Sequence, residues 1–191
     1  MKIKKFKSNY HIFSKKIFLR PIMRKDVEGD WWKWLNNKKV TQLMDKGYKN
    51  NTKQKQLEYF RKIRDSNKDL LFAICLNNKK HIGCVGLHQI NFSKGKAQFG
   101  IIIGNTRYHG RGIGKYVWSE IIKFGFEKLD LKTISTMIVK ENKASIKIAK
   151  SLGFKIKKII KKFIKKKDKE YDYISYLLKK NNWKDINFKY E

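Results

Sequence analysis

The segment HGRGIG, at positions 109–114, places three glycines between an apolar β-type run and a long amphipathic stretch. In that stretch Ile113, Val117, Ile121 and Leu129 recur at multiples of four residues, which is the spacing of one helix face. At a helix N-terminus, successive backbone N–H groups that no bulky side chain obstructs bind anions. The sequence therefore predicts a strand, an anion-binding turn and a helix, in this order.

The turn differs from two well-known phosphate loops. The dinucleotide-binding pattern G-x-G-x-x-G requires its third glycine where Lys115 stands. The Walker pattern requires a glycine, and then Ser or Thr, where the chain has His109 and Tyr116. Arg111 and Lys115 are nevertheless placed to add charge-assisted contacts to an anion. A glycine turn that binds nothing is the alternative interpretation of these residues.

The other apolar runs predict an α/β (α+β) fold with a mixed sheet. Strands are predicted at 17–23, 69–76, 81–90, 97–104, 132–139, 154–164 and 171–178. Helices are predicted at 26–37, where Asp26 is a candidate cap, and at 40–44, 52–64, 113–129 and 142–152. We therefore expect a six- to seven-stranded, mostly antiparallel sheet that is flanked by helices.

The length of the chain bounds its organisation. With 191 residues it suits one domain rather than two. We expect a basic N-terminal tail at 1–16, the folded domain at 17–180 and a polar C-terminal tail at 181–191.

The net charge of +31 has two interpretations. It could attract an anionic partner such as a nucleic acid, a membrane surface or a phosphorylated small molecule. It could also reflect coding bias, because lysine, asparagine and isoleucine are abundant and lysines occur along the whole chain. Only six basic residues are arginine, the residue that DNA readers usually place at bases. We therefore do not expect a specific nucleic-acid ligand.

Several other protein classes are disfavoured. The longest charge-free stretch, 81–93, is shorter than the roughly 20 apolar residues of a membrane span. The basic N-terminus lacks the apolar core of a secretory signal. The only cysteines, Cys75 and Cys84, are too few for a structural zinc site. We expect two free thiols, no metal and a cytoplasmic location.

A second motif follows the glycine turn by about thirty residues. Asn142 is a good N-cap for the helix at 142–152, and Leu152-Gly153-Phe154 follows as a glycine stop. Together, the two motifs resemble the GNAT superfamily of acyl-CoA N-acyltransferases. That family has a coenzyme A loop Q/R-x-x-G-x-G/A and, later, an Asn that opens a helix ending in L-G-F. The resemblance covers roughly residues 17–180, with His109 where Gln or Arg is usual.

Shorter matches resemble one branch of the superfamily. They are WLNNKKVTQLM (34–44), GLHQINFSKGKAQFGIIIG (86–104), the turn KDKE (167–170) and YDYISYLL (171–178). This bacterial branch contains ribosomal-protein N-terminal acetyltransferases and nucleotide-aminosugar N-acetyltransferases, including those of the pseudaminic-acid pathway. The resemblance implies acetyl transfer from acetyl-CoA, as co-substrate, to a primary amine.

The family resemblance also assigns a coenzyme site. The diphosphate of acetyl-CoA is expected at the loop and the helix start, and its pantetheine arm along one strand. The residues concerned are Ile101, Ile102, Ile103, His109, Gly110, Arg111, Gly112, Ile113, Gly114, Lys115 and Asn142. A backbone N–H of that strand could also stabilise the oxyanion.

The catalytic residues are less well specified. An amine of the lysine type has a pKa of about 10.4 and must lose a proton before it attacks. Candidate bases are His88, Glu141 and Asp45, and a water chain to one of them is an alternative. Many family members have a Tyr acid seven residues after the Asn, but this chain has Ala149 there. Ser145, another Tyr or water could then protonate the leaving thiolate.

The acceptor has several candidates at this stage. The amino group of a nucleotide-linked aminosugar comes first, and a ribosomal-protein or other peptide N-terminus comes second. A nucleic-acid-binding module and a GNAT fold that binds coenzyme without turnover are the alternatives from other classes. A homodimer is compatible with each of them.

Overall fold

A computed structural model of the protein describes residues 3–8, 10–14, 16–44, 50–166 and 169–185. Its strands are β1 (Ile12–Phe13), β2 (Ile17–Pro21), β3 (Leu70–Leu76), β4 (His81–Asn91), β5 (Lys96–Ile103), β6 (Thr133–Val139), β7 (Lys155–Lys166) and β8 (Lys169–Lys179). Its α-helices are α1 (Arg24–Glu28), α2 (Trp31–Trp34), α3 (Lys38–Thr41), α4 (Lys53–Asp65), α5 (Ile113–Glu127) and α6 (Lys143–Ser151). Short 3-10 helices lie at Lys4–Phe6, Thr106–Tyr108 and Lys180–Asn182.

The strands form one mixed sheet in the order β1-β2-β3-β4-β5-β6-β8-β7. All neighbouring pairs are antiparallel except β5 and β6, which are parallel. The predicted fold class is thereby confirmed. Seven strands have five or more residues, and the two-residue β1 was not predicted.

The two faces of the sheet carry different cores. On one face α5 and α6 pack over a large cluster that includes Phe72, Trp118 and Tyr176. On the other face the short N-terminal helices and α4 pack over a smaller cluster around Trp31, Trp34 and Cys84. The helices of the second face thus stand above the middle of β3, β4 and β5.

A buried ion pair fixes the first helix to the sheet. The Arg20 guanidinium on β2 donates to both carboxylate oxygens of Asp26, at 2.7 and 2.5 Å. The Nδ1 atom of His81 lies 3.4 Å from the same carboxylate, and burial lowers the pKa of this histidine. Asp26 is the third residue of α1, so it is not the N-cap that we predicted, but its carboxylate accepts from the N–H of the N-cap Met23 at 2.7 Å. The Thr52 cap of α4 is confirmed, because its side chain accepts from the Lys55 N–H.

Both ends of the described chain pack against the domain. Ile3 and Phe6 are buried in the main core, although we expected a tail at 1–16. The Lys7 ammonium donates to the carbonyls of Ile63, Arg64 and Ser66 at the end of α4. Trp183, in the expected tail at 181–191, packs against Phe126. The apolar residues at both ends explain this packing, because each removes surface from water.

No helix in the described ranges is long and apolar enough to cross a membrane. Both cysteines, Cys75 and Cys84, are buried free thiols as predicted.

Candidate functional site

A cleft opens where β5 and β6 separate. The two strands pair only at Lys96–Gln98 against Thr133–Ser135, and no further pair follows along β5. A cavity of about 710 Å³ lies at this point and extends beneath the N-terminal helices. It is lined from α2 and α4 at one end to β6, α6 and β8 at the other. The cavity therefore lies where the two strands part.

The backbone of β5 faces the cleft at alternate residues. The register pairs Cys84 with Ile102, and the Gly104 N–H donates to the Ile82 carbonyl at 2.9 Å. Since hydrogen-bonded and free positions alternate in an antiparallel ladder, even-numbered residues of β5 bond to β4. The N–H and C=O groups of Ile101 and Ile103 point the other way, into the cleft.

One contact supports this assignment directly. His109 Nε2 donates to the Ile103 carbonyl at 2.8 Å, so this oxygen points away from β4. Ile102 differs from its neighbours, because its backbone bonds to β4 and its side chain lines the cavity beneath the N-terminal helices. The three isoleucines predicted as one group therefore have two different environments.

The glycine turn is open and left-handed at two positions. Gly110 has φ 74° and Gly112, the N-cap of α5, has φ 78°. A Cβ on Gly110 would meet no atom within 4 Å. The Arg111 guanidinium lies 5.6 Å from the ring centre of Tyr108. The first N–H groups of α5 have no carbonyl partner within the helix, so this concave end presents donors to solvent.

The second motif lies across the cleft from β5. The Asn142 side chain accepts from the Ser145 N–H at 3.1 Å and caps α6, and both residues line the cavity. Glu141 is exposed and is not among the lining residues. Ala149 is fully buried in the main core, so the position of the usual Tyr does not face the cavity. Tyr173 on β8 lines this end of the cavity instead.

His88 lines the middle of the cavity. Its Nδ1 atom is 3.1 Å from the Asp69 carboxylate, which also accepts from the Ser66 hydroxyl at 2.5 Å. The hydrogen bond with His88 is the main reason why the pKa of Asp69 falls to about 2, while burial opposes this shift. The His88 ring lies against Gly86 and Gly100, which leave room for it.

The far end of the cavity is polar and aromatic. Trp31 and Tyr59 stand edge to face, with ring centres 6.0 Å apart. Gln56 is 1% exposed, and its Oε1 accepts from Asn51 Nδ2 at 3.1 Å. Its Nε2 atom is buried and has no hydrogen-bond partner within the described chain. The Lys55 ammonium lies at the same end and donates to the Asn50 carbonyl at 3.1 Å.

The permanent charge on the described part of the cavity wall is positive. Among the described lining residues Lys55 is the only permanently charged side chain, and none carries a carboxylate. Cys84 also lines the wall, but burial raises the pKa of its thiol well above the usual value. Asp45, a candidate base, lies outside the described residues, as do Lys167 and Asp168 of the basic hairpin turn.

The structure thus brings His88, Ser145, Asn142, Ile101 and Ile102 together around the cavity. Ile103, Glu141 and the turn at 109–115 are not among the lining residues. Sequence reasoning missed Asp69, Gln56 and Tyr173. The observed register of β3 and β4 pairs Ala73 with Cys84 and Leu70 with Leu87, and its continuation places Asp69 opposite His88. A tight hairpin between the predicted strands 69–76 and 81–90 would have indicated this pair. Gln56 offered no such signal, because a glutamine on a polar helix resembles a surface residue.

Comparisons with known proteins agree with this geometry. Residues 16–155 match the family model of the acetyltransferase (GNAT) domain. The acetyltransferase PseH of Campylobacter jejuni is 23% identical over 125 residues, which cover 65% of this chain and 74% of that protein. The spermidine N(1)-acetyltransferase of Escherichia coli K12 is 31% identical over 98 residues, 51% of each protein.

Two further relatives complete the comparison. The uncharacterized N-acetyltransferase p20 of Bacillus licheniformis is 31% identical over 100 residues, 52% of this chain. The matched segment spans only 56% of the p20 protein, so it corresponds to about half the length of this relative. The crystal structure of spermidine N-acetyltransferase from Vibrio cholerae with CoA and spermine superposes with TM-score 0.79 and 20% identity, covering 87% of this chain and 96% of that one.

Proposed function

The chain belongs to the GNAT acetyltransferase family, and on this basis we propose that it transfers the acetyl group of acetyl-CoA to a primary amine. We further propose that the amine belongs to a nucleotide-linked aminosugar. The observation that carries the second proposal is the acceptor end of the cavity, which offers hydrogen-bond donors and a lysine but no described carboxylate.

The coenzyme side of the cleft fits acetyl-CoA. The open turn at Gly110 and Gly112 and the start of α5 offer backbone N–H groups and, with Arg111 and Lys115, positive charge for a diphosphate. The cleft-facing N–H and C=O groups of Ile101 and the N–H of Ile103 suit a peptide-like pantetheine arm, while the Ile103 carbonyl already accepts from His109. When bound there, acetyl-CoA supplies an activated acetyl thioester.

The acceptor end fits a hydroxylated, anionic amine better than a polycation. A polyamine carries several positive charges, and their burial requires carboxylate partners. Gln56, in contrast, lines this end of the cavity, and its buried Nε2 has no hydrogen-bond partner among the described residues, so an oxygen of the acceptor can accept from it. Lys55 provides a positive charge at the same end. Tyr59, 38% exposed, supplies an apolar face on which a sugar ring can pack, and the buried Trp31 contacts its ring edge to face.

The residues around the reacting centre have complementary tasks. His88 lines the cavity, where its imidazole can accept the amine proton. The Ile101 N–H faces the cleft and can donate to the oxygen on which negative charge develops. Ser145 and Tyr173 lie on the coenzyme side, where a hydroxyl can protonate the departing thiolate. Glu141 is exposed and is not among the residues that line the cavity, so we assign it no role in this proposal.

A panel of amines tests both levels of the proposal. Thiol release from acetyl-CoA should be measured with a nucleoside-diphosphate aminosugar, free glucosamine, spermidine and a short peptide. We expect the nucleotide-linked sugar to have the highest kcat/KM. Highest activity with spermidine would leave the acetyl-transfer proposal standing and refute the acceptor. Activity with none of the amines, despite acetyl-CoA binding, would refute the enzyme proposal.

Lys55 offers a matched charge test. Lys55→Glu should raise KM for the nucleotide-linked sugar at least about tenfold, a loss of roughly 1.4 kcal/mol. Lys62→Glu is the control, because this exposed lysine of the same helix does not line the cavity. Equal effects of the two variants would assign the loss to net charge rather than to the acceptor site.

Two further proposals concern the setting of the protein. We place it in the cytoplasm, where acetyl-CoA is used and where free thiols such as Cys75 and Cys84 persist. A homodimer stays a prediction, which the mass in solution would test.

A further inference from the structure

We propose that Asp69, held in place by Ser66, positions His88 so that its Nε2 atom is the general base of acetyl transfer. This inference rests on the proposed function, because it assigns the proton acceptor of that reaction. His88 is the catalytic residue, and Asp69 and Ser66 act through it.

The contacts around the Asp69 carboxylate leave it a single orientation. One oxygen lies 3.1 Å from His88 Nδ1 and 3.3 Å from the Gln89 N–H, which donates to it. The other accepts from the Ser66 hydroxyl at 2.5 Å. The Ser66 oxygen in turn accepts from the Lys68 N–H at 3.0 Å, so its own proton must point to Asp69.

This arrangement selects one tautomer of His88. An ionised carboxylate only accepts hydrogen bonds, so the proton of neutral His88 must be on Nδ1. The low pKa of Asp69, about 2, keeps the carboxylate ionised throughout the working range of an enzyme. The lone pair of a neutral His88 is then on Nε2, on the opposite side of the ring from Asp69.

The surroundings of Nε2 leave it open to a substrate. A Cβ at Gly100 would be 3.7 Å from this atom and a Cβ at Gly86 would be 3.1 Å from it, so two glycines clear the space beside the ring. Both the ring and Gly100 line the cavity. Gln98, the cross-strand neighbour of His88, is uncharged.

Few charges act on the ring in the described part of the chain. Asp69, at the start of β3, is the charged group in direct contact with it. Lys7 and Asp65 are not in contact with the ring. Burial lowers the pKa of Lys7, and the charges of Asp69 and Asp65 oppose this shift. Asp69 is therefore the described charge that acts on the His88 ring most directly.

The proton balance of the step is complete. The ammonium of the acceptor gives one proton to His88 Nε2, and the free amine forms the new N–C bond as the C–S bond breaks. The nitrogen loses a second proton once the N–C bond has formed, and the departing thiolate takes up one, directly or through a hydroxyl of the cleft. His88 then returns its proton to solvent. One proton is released for each amide formed from an ammonium.

Four variants test the relay in the full-length protein. His88→Gln should lower kcat/KM for the acceptor by about 100-fold or more, in the range of general base catalysis. Asp69→Asn should lower kcat/KM by at least about tenfold and move the acid limb of its pH profile to lower pH, because the imidazolium loses its anionic partner. Ser66→Ala should have a smaller effect in the same direction. Asp65→Asn, an exposed carboxylate four residues earlier, is the control and should change neither quantity.

A second measurement is independent of turnover. The nitrogen NMR shifts of His88 should report the Nδ1–H tautomer in the wild type and a lower histidine pKa in Asp69→Asn. An Nε2–H tautomer, or a His88→Gln variant within threefold of wild-type kcat/KM, would overturn the proposal. A wild type that acetylates none of the amines would refute the proposed function, while the tautomer would still decide whether Asp69 orients His88.

Discussion

Replacing Gly112 by glutamate tests the coenzyme loop most directly. Gly112 has φ 78°, so any L-residue there is strained by about 1–2 kcal/mol. At a separation of about 5 Å and an effective dielectric constant near 20, one carboxylate repels one phosphate charge by about 3 kcal/mol. Since each 1.4 kcal/mol is about tenfold, the Kd of acetyl-CoA should rise at least about 100-fold.

Gly112→Ala separates the two effects, because it has the strain without the charge. We expect the alanine variant to lose a few degrees in Tm, about 2–4 °C for each kcal/mol, and less than about tenfold in affinity. The glutamate variant should fold with similar stability, because a carboxylate at the first turn of α5 interacts favourably with the helix dipole.

The assay is titration calorimetry with acetyl-CoA, accompanied by thermal unfolding with acetyl-CoA or polyphosphate. At 100 times its Kd, acetyl-CoA should stabilise the wild type by about 2.7 kcal/mol. Polyphosphate controls for the net charge of +31. Unchanged affinity in a folded Gly112→Glu protein would refute the loop assignment, and equal stabilisation by both ligands would attribute binding to charge alone.

Four further outcomes follow from the packing. Asp26→Asn should lower the free energy of unfolding by about 3 kcal/mol, because it leaves the buried Arg20 charge uncompensated. If urea unfolding shows a decrease of less than about 1 kcal/mol, this reasoning is wrong. The folded pKa of Asp69, about 2, is below its ordinary value of 3.8, so its contribution of roughly 1 kcal/mol after solvent screening is present above about pH 4 and lost as pH falls toward 2. The difference in free energy of unfolding between the wild type and Asp69→Asn should therefore shrink between about pH 4 and 2. Ala149→Tyr should destabilise by about 1–3 kcal/mol without raising kcat, since this side chain is in the core; a faster enzyme would place the residue at the site instead. Gln56→Leu should leave the Tm within a few degrees, because it removes an unpartnered donor and because Asn51 Nδ2, which loses Gln56 Oε1, still donates to the Trp32 carbonyl. It should raise KM for the acceptor, and an unchanged KM would show that Gln56 does not contact the acceptor.

Local patterns predicted most of the fold. The glycine turn, the Asn142 cap and the short connections between β3, β4 and β5 are patterns of a few neighbouring residues. Each element that they predict is present. The packing of Ile3 and Phe6 could not be predicted in this way, because a short basic segment with two apolar residues resembles an unanchored tail.

The site was predictable where it depends on one element. His88, Ser145 and Asn142 were identified individually, and all three line the cavity. Glu141 was grouped with them because it precedes Asn142, but successive residues at a strand end point to different sides. The Gln56 environment depends on how α4 packs against the loop at Asn51, which no local pattern specifies.

The alternation along β5 has a consequence for how such a protein can diverge. Ile101 and Ile103 direct backbone N–H and C=O groups into the cleft, and every amino acid except proline has both groups. The side-chain positions of Gly100 and Ile102 lie on the proposed acceptor side. A mutation at Gly100 or Ile102 can therefore reshape the acceptor pocket and leave the coenzyme-facing groups chemically unchanged. On this proposal, selection for a new amine substrate can change alternate residues of β5, and each variant along the way keeps the backbone groups that face acetyl-CoA.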